Sequence, residues 1–430
     1  MRAGARILAA AEVLAEVIDR HRPTAMALAD WGKAHRFAGS GDRNAIGGLV
    51  YDALRRRLSI AWTMDGETPL ALALGAASKA LALTPEEIAA ACDGSQHAPE
   101  PLTATQIAAL TRDFSEAPEH VRADVPEWVW PSFTRTFGDR AMEQGRKLAE
   151  RAATDLRVNG LKGTQEKVLK ALRDYRSEPT RLSPIGVRIP AASGPQRTPN
   201  LQAEAAYQAG WFEVQDEGSQ IASLMAGAGP REQVLDLCAG AGGKTLAMAS
   251  AMQNTGQIYA YDEDRLRLKP IFDRLKRAGA RNVQVLRGGD RAALAALGDR
   301  FDLVLVDAPC TGTGVWRRRP EAKWKLRPDS LAVRQGEQDE VLAMAASHVK
   351  PGGRVVYVTC SLLAEENTAS VERFLAAHPG FTVTPWADVW RARLGTEPPA
   401  SADGRDDGLL LTPADHGTDG FYVAVLERPA

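Results

Sequence analysis

Two cysteines sit where sulfur chemistry could be done. FDLVLVDAPCTGTG (301–314) runs a hydrophobic strand into Asp307, Pro309 and Cys310. GGRVVYVTCS (352–361) runs another into Thr359, Cys360 and Ser361. A thiolate is a strong nucleophile and can carry a covalent intermediate. A single cysteine is more often a small buried hydrophobe. Two of them at strand ends, one beside an Asp-x-Pro turn, reverse those odds. In an open parallel sheet the ligand crevice lies beyond the carboxyl ends of the strands. Both thiols are therefore expected to face one crevice.

A third strand end carries a different device. VLDLCAGAGGKT (234–245) reads as strand, glycine turn and helix. Gly240, Gly242 and Gly243 let backbone amides approach a ligand closely. The spacing is neither a Walker A loop nor a clean GxGxxG, since Thr245 holds the third glycine's place. The following strand ends in Asp262, where a carboxylate can accept both hydroxyls of an adenosine ribose. Asp290, in LRGGD, is expected to reach an adenine amino group. This arrangement describes nicotinamide enzymes and S-adenosylmethionine (SAM) methyltransferases alike, and the glycine loop by itself does not choose.

The elements that must position these residues follow from periodicity. Strand-like runs occur at 233–238, 257–262, 283–287, 301–307 and 354–359, with helical patterns at 244–252 and 263–279 between them. Such alternation predicts an α/β fold with a doubly wound, Rossmann-like parallel sheet over 211–430, closed by a last strand at 420–428. The acidic stretch 397–419 is expected to be a loop. Residues 1–140 read as an all-helical domain. Ile7, Leu14 and Val17 share one face, and Thr84 ahead of Glu87 marks a capping box. VPEWVWPSF (125–133) reads as a hinge. Residues 141–210 form a basic segment expected to be a small α/β module, with a strand at 155–162, a helix at 164–175 and a polar loop at 190–199.

Composition sets the outer limits. The chain has 430 residues, enough for two or three domains, and its 44% hydrophobic and 25% charged residues exclude global disorder. A net charge of −1 excludes a histone-like polycation. The four cysteines include no CxxC pair and the seven histidines no HxH or HExxH, so no metal site is expected. The most apolar stretch, 70–83, is too short to span a membrane and carries Lys79. Free cysteines and no export signal point to a cytoplasmic chain. A monomer is expected.

Taken together, VLDLCAGAGGKT, VDAPCTGTG followed by PEAKW, and YVTCSLLAEEN resemble the RsmB-type (Sun/Fmu and Nop) RNA cytosine-5 methyltransferase family. FEVQDEGSQ (212–220) and DGFYVAVLE (419–427) are also in place, so the resemblance covers roughly 150–430. The first 140 residues resemble that family's NusB-like RNA-binding domain, chiefly through GDRNAIGGLVYDALR (41–55). The resemblance implies SAM as cofactor and RNA, 16S ribosomal RNA first, as substrate. It implies Cys360 as the nucleophile toward cytosine C6 and Cys310 as the thiol that assists release. Asp307 would hydrogen-bond the cytosine edge near the cofactor, and Lys244 would orient Asp307 or the cofactor. Cys238, Ala239, Gly240, Ala241, Gly242, Gly243 and Lys244 would hold the methionine part of SAM, with Asp262 and Asp290 on the adenosine. Ala241 stands where many members carry proline. Past Cys310, GVWRRRPEAKWKLR (314–327) is expected to bind RNA phosphates and bases through Arg317, Arg318, Arg319, Lys323 and Trp324. A tRNA substrate, a nicotinamide dehydrogenase and a non-catalytic RNA-binding assembly factor are the rival readings.

Overall fold

The structure is a computed structural model and describes all residues except 195, 197 and 198, so the loop expected over 190–199 lies partly outside the described residues. Helices Ala3–Ile18, Ser40–Arg55 and Pro69–Leu81 pack on one another. Their apolar stripes meet at Ile7, Leu14, Leu49 and Leu72, and Ile88 of helix Pro85–Ala91 joins the same core. The capping box forms as expected: Thr84 Oγ1 accepts from Glu87 N (3.2 Å) and Glu87 Oε2 accepts from Thr84 N (2.8 Å).

The hinge expected at 125–133 is instead a 3₁₀ turn, Glu127–Val129, leading into a helix, Trp130–Phe137. Pro131 falls in the helix's first turn, where its missing N–H removes no hydrogen bond. Val125, Val129, Phe133 and Phe137 share their core with the large sheet, and Phe133 stacks on Trp316 at 6.1 Å. The helical region thus has two allegiances. Residues 7–92 form a core of their own, and residues 123–148 belong with the sheet.

The small module is an antiparallel sheet of β1 (Thr154–Val158), β2 (Glu178–Pro179), β3 (Gly186–Ile189) and β4 (Phe212–Val214), in the order β2-β3-β1-β4. Helix Gln165–Ala171 closes its core of Leu156, Val168, Val187 and Phe212.

The large sheet contains β5 (Gln233–Asp236), β6 (Gln257–Ala260), β7 (Val283–Val285), β8 (Phe301–Asp307), β9 (Val349–Thr359), β10 (Thr382–Thr384), β11 (Leu409–Leu411) and β12 (Phe421–Glu427). Its order is β10-β12-β9-β8-β5-β6-β7, with β11 also on β12. Strands β5 to β9 pair in parallel, and β12 enters antiparallel beside β9. Side chains alternate between two buried faces, as a doubly wound sheet requires. Val304, Val306, Val355 and Tyr357 meet Leu342 and Phe374 on one face. Leu303, Leu305, Val356 and Val358 meet Ile221, Met248 and Trp390 on the other. Two expectations are corrected. The helical pattern at 263–279 breaks at Pro270 into Arg265–Leu268 and Ile271–Ala278. The stretch 397–419 contains β11 and the turn of helix Pro413–His416, because its apolar Leu409–Leu411 adds a strand to β12.

The basic strip at 314–327 brings a further correction of larger consequence. Arg317, Lys323 and Trp324 point into the molecule, and among the proposed RNA-binding residues only Arg319 is exposed. Arg317 Nε donates to Asp419, and Arg318 donates to Asp216 (2.8 Å), Asp419 and the Ala153 carbonyl (2.8 Å). Lys323 Nζ donates to the carbonyls of Arg55 (2.9 Å) and Asp124 (2.7 Å), and burial pushes its pKa down to about 8. Trp324 Nε1 donates to the Leu54 carbonyl (2.7 Å). The strip joins the helical region, the small module and the sheet. Arg317, Arg318 and Lys323 are held by carboxylates and carbonyls from distant segments, and the buried Arg317 and Lys323 are not presented to phosphates. Asp419 and Arg317 are both buried, so Asp419→Asn strands buried positive charge. It should lower stability by about 3–5 kcal/mol in urea unfolding.

Candidate active site

The carboxyl ends of β5, β6, β8 and β9 bring most of the singled-out residues together. After β5 the chain turns through Gly240 (φ +50) and Gly242 (φ +83) into helix Gly243–Ala251. Only glycine takes the second conformation without strain, and a Cβ at Gly242 would lie 2.5 Å from Ile271 Cγ1. Gly240 N donates to Asp262 Oδ2 (2.8 Å), which ties the loop to the end of β6. Ala241 is accommodated without proline, and its carbonyl accepts from Arg274 Nη1 (2.8 Å).

Lys244 points from the first turn of that helix to the end of β8. Its Nζ is 2.7 Å from Asp307 Oδ2. The lysine side chain is buried, whereas Asp307 is 36% exposed, so the carboxylate is held from inside and open outside. Beyond Asp307, Cys310 Sγ lies 3.4 Å from Cys360 Sγ, which follows β9. Both cysteines are half-buried and unbridged. The hydrogen bond with Cys360, together with burial, pushes the Cys310 thiol well above the ordinary range. Cys310 thus stays protonated at neutral pH and can donate to Cys360.

A cavity of about 370 Å³ lies beside the glycine loop, lined by Leu237, Cys238, Asp262, Pro309 and Met344 among others. Its walls mix apolar side chains with carboxylates and with Arg267, Arg291 and Arg334. Asp262 is buried at its rim. Asp290 does not line the cavity; its Oδ1 caps helix Arg291–Ala295 by accepting from Ala293 N (3.0 Å).

Two buried carboxylates at the site are not marked out by the sequence motifs. Asp236 ends β5, and its Oδ2 accepts from Thr245 Oγ1 (2.6 Å). Its Oδ1 is buried without a partner among the described residues. Burial pushes its pKa up to about 7, and Asp307 and Asp262 add to the rise. The same three carboxylates, after burial, push the Cys238 thiol well up. The carboxylates of Asp262, Glu263, Asp264, Glu337 and Glu340 outnumber Arg267, Arg291 and Arg334 around the cavity, which suits a ligand carrying positive charge such as an ammonium or sulfonium group. SAM carries both, so the residues present fit it. The second carboxylate is Glu366, enclosed between the two cysteine loops. Each lay within a quoted motif, yet only packing shows that it is buried. Among the described residues no cluster of His, Cys, Asp and Glu could hold a metal ion, and no helix is long and apolar enough to cross a membrane.

The sheet order departs from the all-parallel 3-2-1-4-5-6 arrangement of dinucleotide-binding folds, because β12 runs antiparallel between β9 and β10. Sheet, glycine loop and cavity define a Rossmann-like fold of the kind that SAM-dependent methyltransferases share. Residues 225–427 match the family model described as 16S rRNA methyltransferase RsmB/F. Ribosomal RNA small subunit methyltransferase B of Citrobacter koseri is 31% identical over 324 residues, covering 75% of this chain and 70% of the relative. A probable enzyme of the same name from Synechocystis sp. is 30% identical over 308 residues, covering 70% of this chain. The chain belongs to the RsmB/F family of ribosomal RNA small subunit methyltransferases. It spans 66% of the Synechocystis relative and 48% of the Erwinia tasmaniensis one. The crystal structure of PH0851 superposes with a TM-score of 0.74 at 27% identity, covering 99% of this chain and 98% of that one. NSun6 from Pyrococcus horikoshii, solved with SFG, shares the fold at a TM-score of 0.62 and 21% identity, over 71% of this chain and 99% of that one.

The raised Asp236 pKa sets a sign. The folded state binds this proton more tightly than the unfolded state, so the stability linked to it is lost as pH rises toward and through about 7. In the ligand-free protein, Asp236→Asn should gain stability relative to the parent between about pH 5 and pH 8, read by chemical unfolding at each pH. The same variant should bind SAM more weakly by calorimetry.

Proposed function

We propose that this chain transfers a methyl group to C5 of a cytosine in RNA, with small-subunit ribosomal RNA as the leading substrate, through a covalent adduct on Cys360. The observation that carries this reading is the 3.4 Å approach of two thiols beside a carboxylate held by lysine. Carbon 5 of cytosine is a poor nucleophile while the ring is aromatic. Addition of the Cys360 thiolate to C6 breaks the aromaticity and makes C5 enamine-like. SAM, when bound, would supply the electrophilic methyl to C5, its S–CH3 bond breaking to leave S-adenosylhomocysteine. The C5 proton then leaves, the C6–S bond breaks, and Cys360 is regenerated as methylated RNA departs.

This chain's residues divide the work. Asp307, held by Lys244, hydrogen-bonds the cytosine edge and keeps the ring in place. Cys310, whose thiol stays protonated, assists the elimination by donating its S–H hydrogen bond to the departing Cys360 thiolate, while the C5 proton passes to water. The glycine loop from Cys238 to Lys244 holds the methionine part of the cofactor. Asp262 holds the ribose, and Asp236 supplies negative charge nearby. A target base must leave its stack to reach thiols in a crevice, so single-stranded or flipped RNA is the expected form. Asp290, occupied as a helix cap, keeps one carboxylate oxygen for an adenine contact.

The test uses the full chain, radiolabelled SAM and small-subunit ribosomal RNA from a strain lacking the gene. Cys360→Ala should abolish transfer while cofactor binding persists. Cys310→Ala should accumulate a protein–RNA adduct that survives a denaturing gel. Transfer by Cys360→Ala at the parental rate would refute the reading. Bisulfite sequencing of ribosomal and transfer RNA from the deletion strain identifies the nucleotide.

A further inference from the structure

We propose that Glu366 is a positioning residue that sets the approach of the two active-site thiols. The assignment rests on the reading of Cys310 and Cys360 as a reacting pair, and its geometry stands apart from any substrate. Glu366 is completely buried. Its Oε1 accepts from Thr311 N (2.8 Å), the residue after Cys310. Its Oε2 accepts from Thr311 Oγ1 and from Ser361 Oγ, the residue after Cys360. One carboxylate thus grips the neighbours of both cysteines.

The grip is itself braced. Gln338, on helix Pro328–His348, donates through Nε2 to Glu366 Oε1 (3.1 Å) and to the Pro309 carbonyl (2.9 Å). Tyr357 OH donates to the Glu366 carbonyl (2.6 Å), which fixes its backbone against β9. Asn367 holds the end of β9 from both sides: its Oδ1 accepts from Thr359 Oγ1 (2.6 Å) and its Nδ2 donates to the Ser361 carbonyl (3.0 Å). Burying a carboxylate is costly unless donors surround it, and here four donors do. Two neighbouring strands of parallel sheet fix where their backbones end, but not how the loops beyond them turn. The Glu366 bonds supply that missing constraint. A glutamine can satisfy the same site. Its oxygen can take the Thr311 N and Gln338 bonds, and its NH₂ can donate to the two hydroxyls. Ser361 Oγ could then turn its hydrogen toward Thr313 Oγ1, 3.2 Å away.

The experiment reads the sulfur–sulfur approach without RNA or SAM. The full chain is equilibrated with reduced and oxidised glutathione. The Cys310–Cys360 disulfide is formed at the expense of oxidised glutathione, with two reduced glutathiones released. The linked peptide is quantified by mass spectrometry, which gives the effective molarity of the pair. A misplacement of about 1 Å can cost about a hundredfold in such proximity effects. Glu366→Ala should lower the effective molarity about tenfold or more, and Glu366→Gln should restore most of it. Methyl transfer should fall and recover in the same order while SAM binding is unchanged. If Glu366→Ala does not fold, Thr311→Val and Ser361→Ala, each removing one hydroxyl from the grip, should each lower the effective molarity. An unchanged effective molarity in folded Glu366→Ala, or in both hydroxyl variants, overturns the proposal. Failure of the parent to methylate RNA would instead refute the functional reading and leave the disulfide measurement standing.

Discussion

Strands β8 and β9 lie side by side in parallel, with Asp307 opposite Val358. The two chains therefore leave the sheet at the same level, about 4.8 Å apart. Cys310 comes three residues after one partner and Cys360 two after the other. A slip of one residue in this register would turn the side chains of β9 to the opposite face. The slip is opposed by two cores at once, since Val355 and Tyr357 are buried on one side and Val356 and Val358 on the other. The register that builds the hydrophobic core thus also brings the thiols together.

Charge is handled in two ways in this molecule. At the crevice, Asp236, Asp262 and Asp307 outnumber Lys244, and one buried oxygen is left without a donor. Each unmatched carboxylate is costly there, since charge is strongly felt in a poorly solvated site. Behind the crevice, Arg317 and Arg318 are matched by Asp216 and Asp419. That cluster is satisfied without a ligand, and it ties the loop beyond Cys310 to the small module and the last strand. Arg55 and Lys323 extend the junction to the helical region, with Arg55 Nε donating to the Arg317 carbonyl (2.7 Å). The segment that follows the Cys310 loop is therefore also the segment on which the surrounding modules assemble.

Much of this was legible in the residues. The strand at 301–307 falls on the hydrophobic run that predicts it, and the glycine loop takes the positive φ values that its glycines allow. The capping box at Thr84 forms where its spacing places it. The basic strip was misleading, because a run of arginines with tryptophans looks the same whether it faces phosphates or buried carboxylates. Its partners lie about a hundred residues or more away along the chain. The division of the helical region was hidden for the same reason. Residues 123–148 carry ordinary amphipathic patterns that do not say which core they enter.

The sequence by itself determined the elements and their local chemistry. Two-residue alternation makes a strand, and glycine alone turns freely at Gly242, whatever surrounds them. These are short-range steric and hydrophobic rules, satisfied within a few residues. Only the tertiary structure decided which charges meet, how closely the sulfurs of Cys310 and Cys360 approach, and which carboxylate is left with an orphaned oxygen. Those outcomes depend on segments far apart in the chain arriving at one place, and burial then makes each unmatched charge costly.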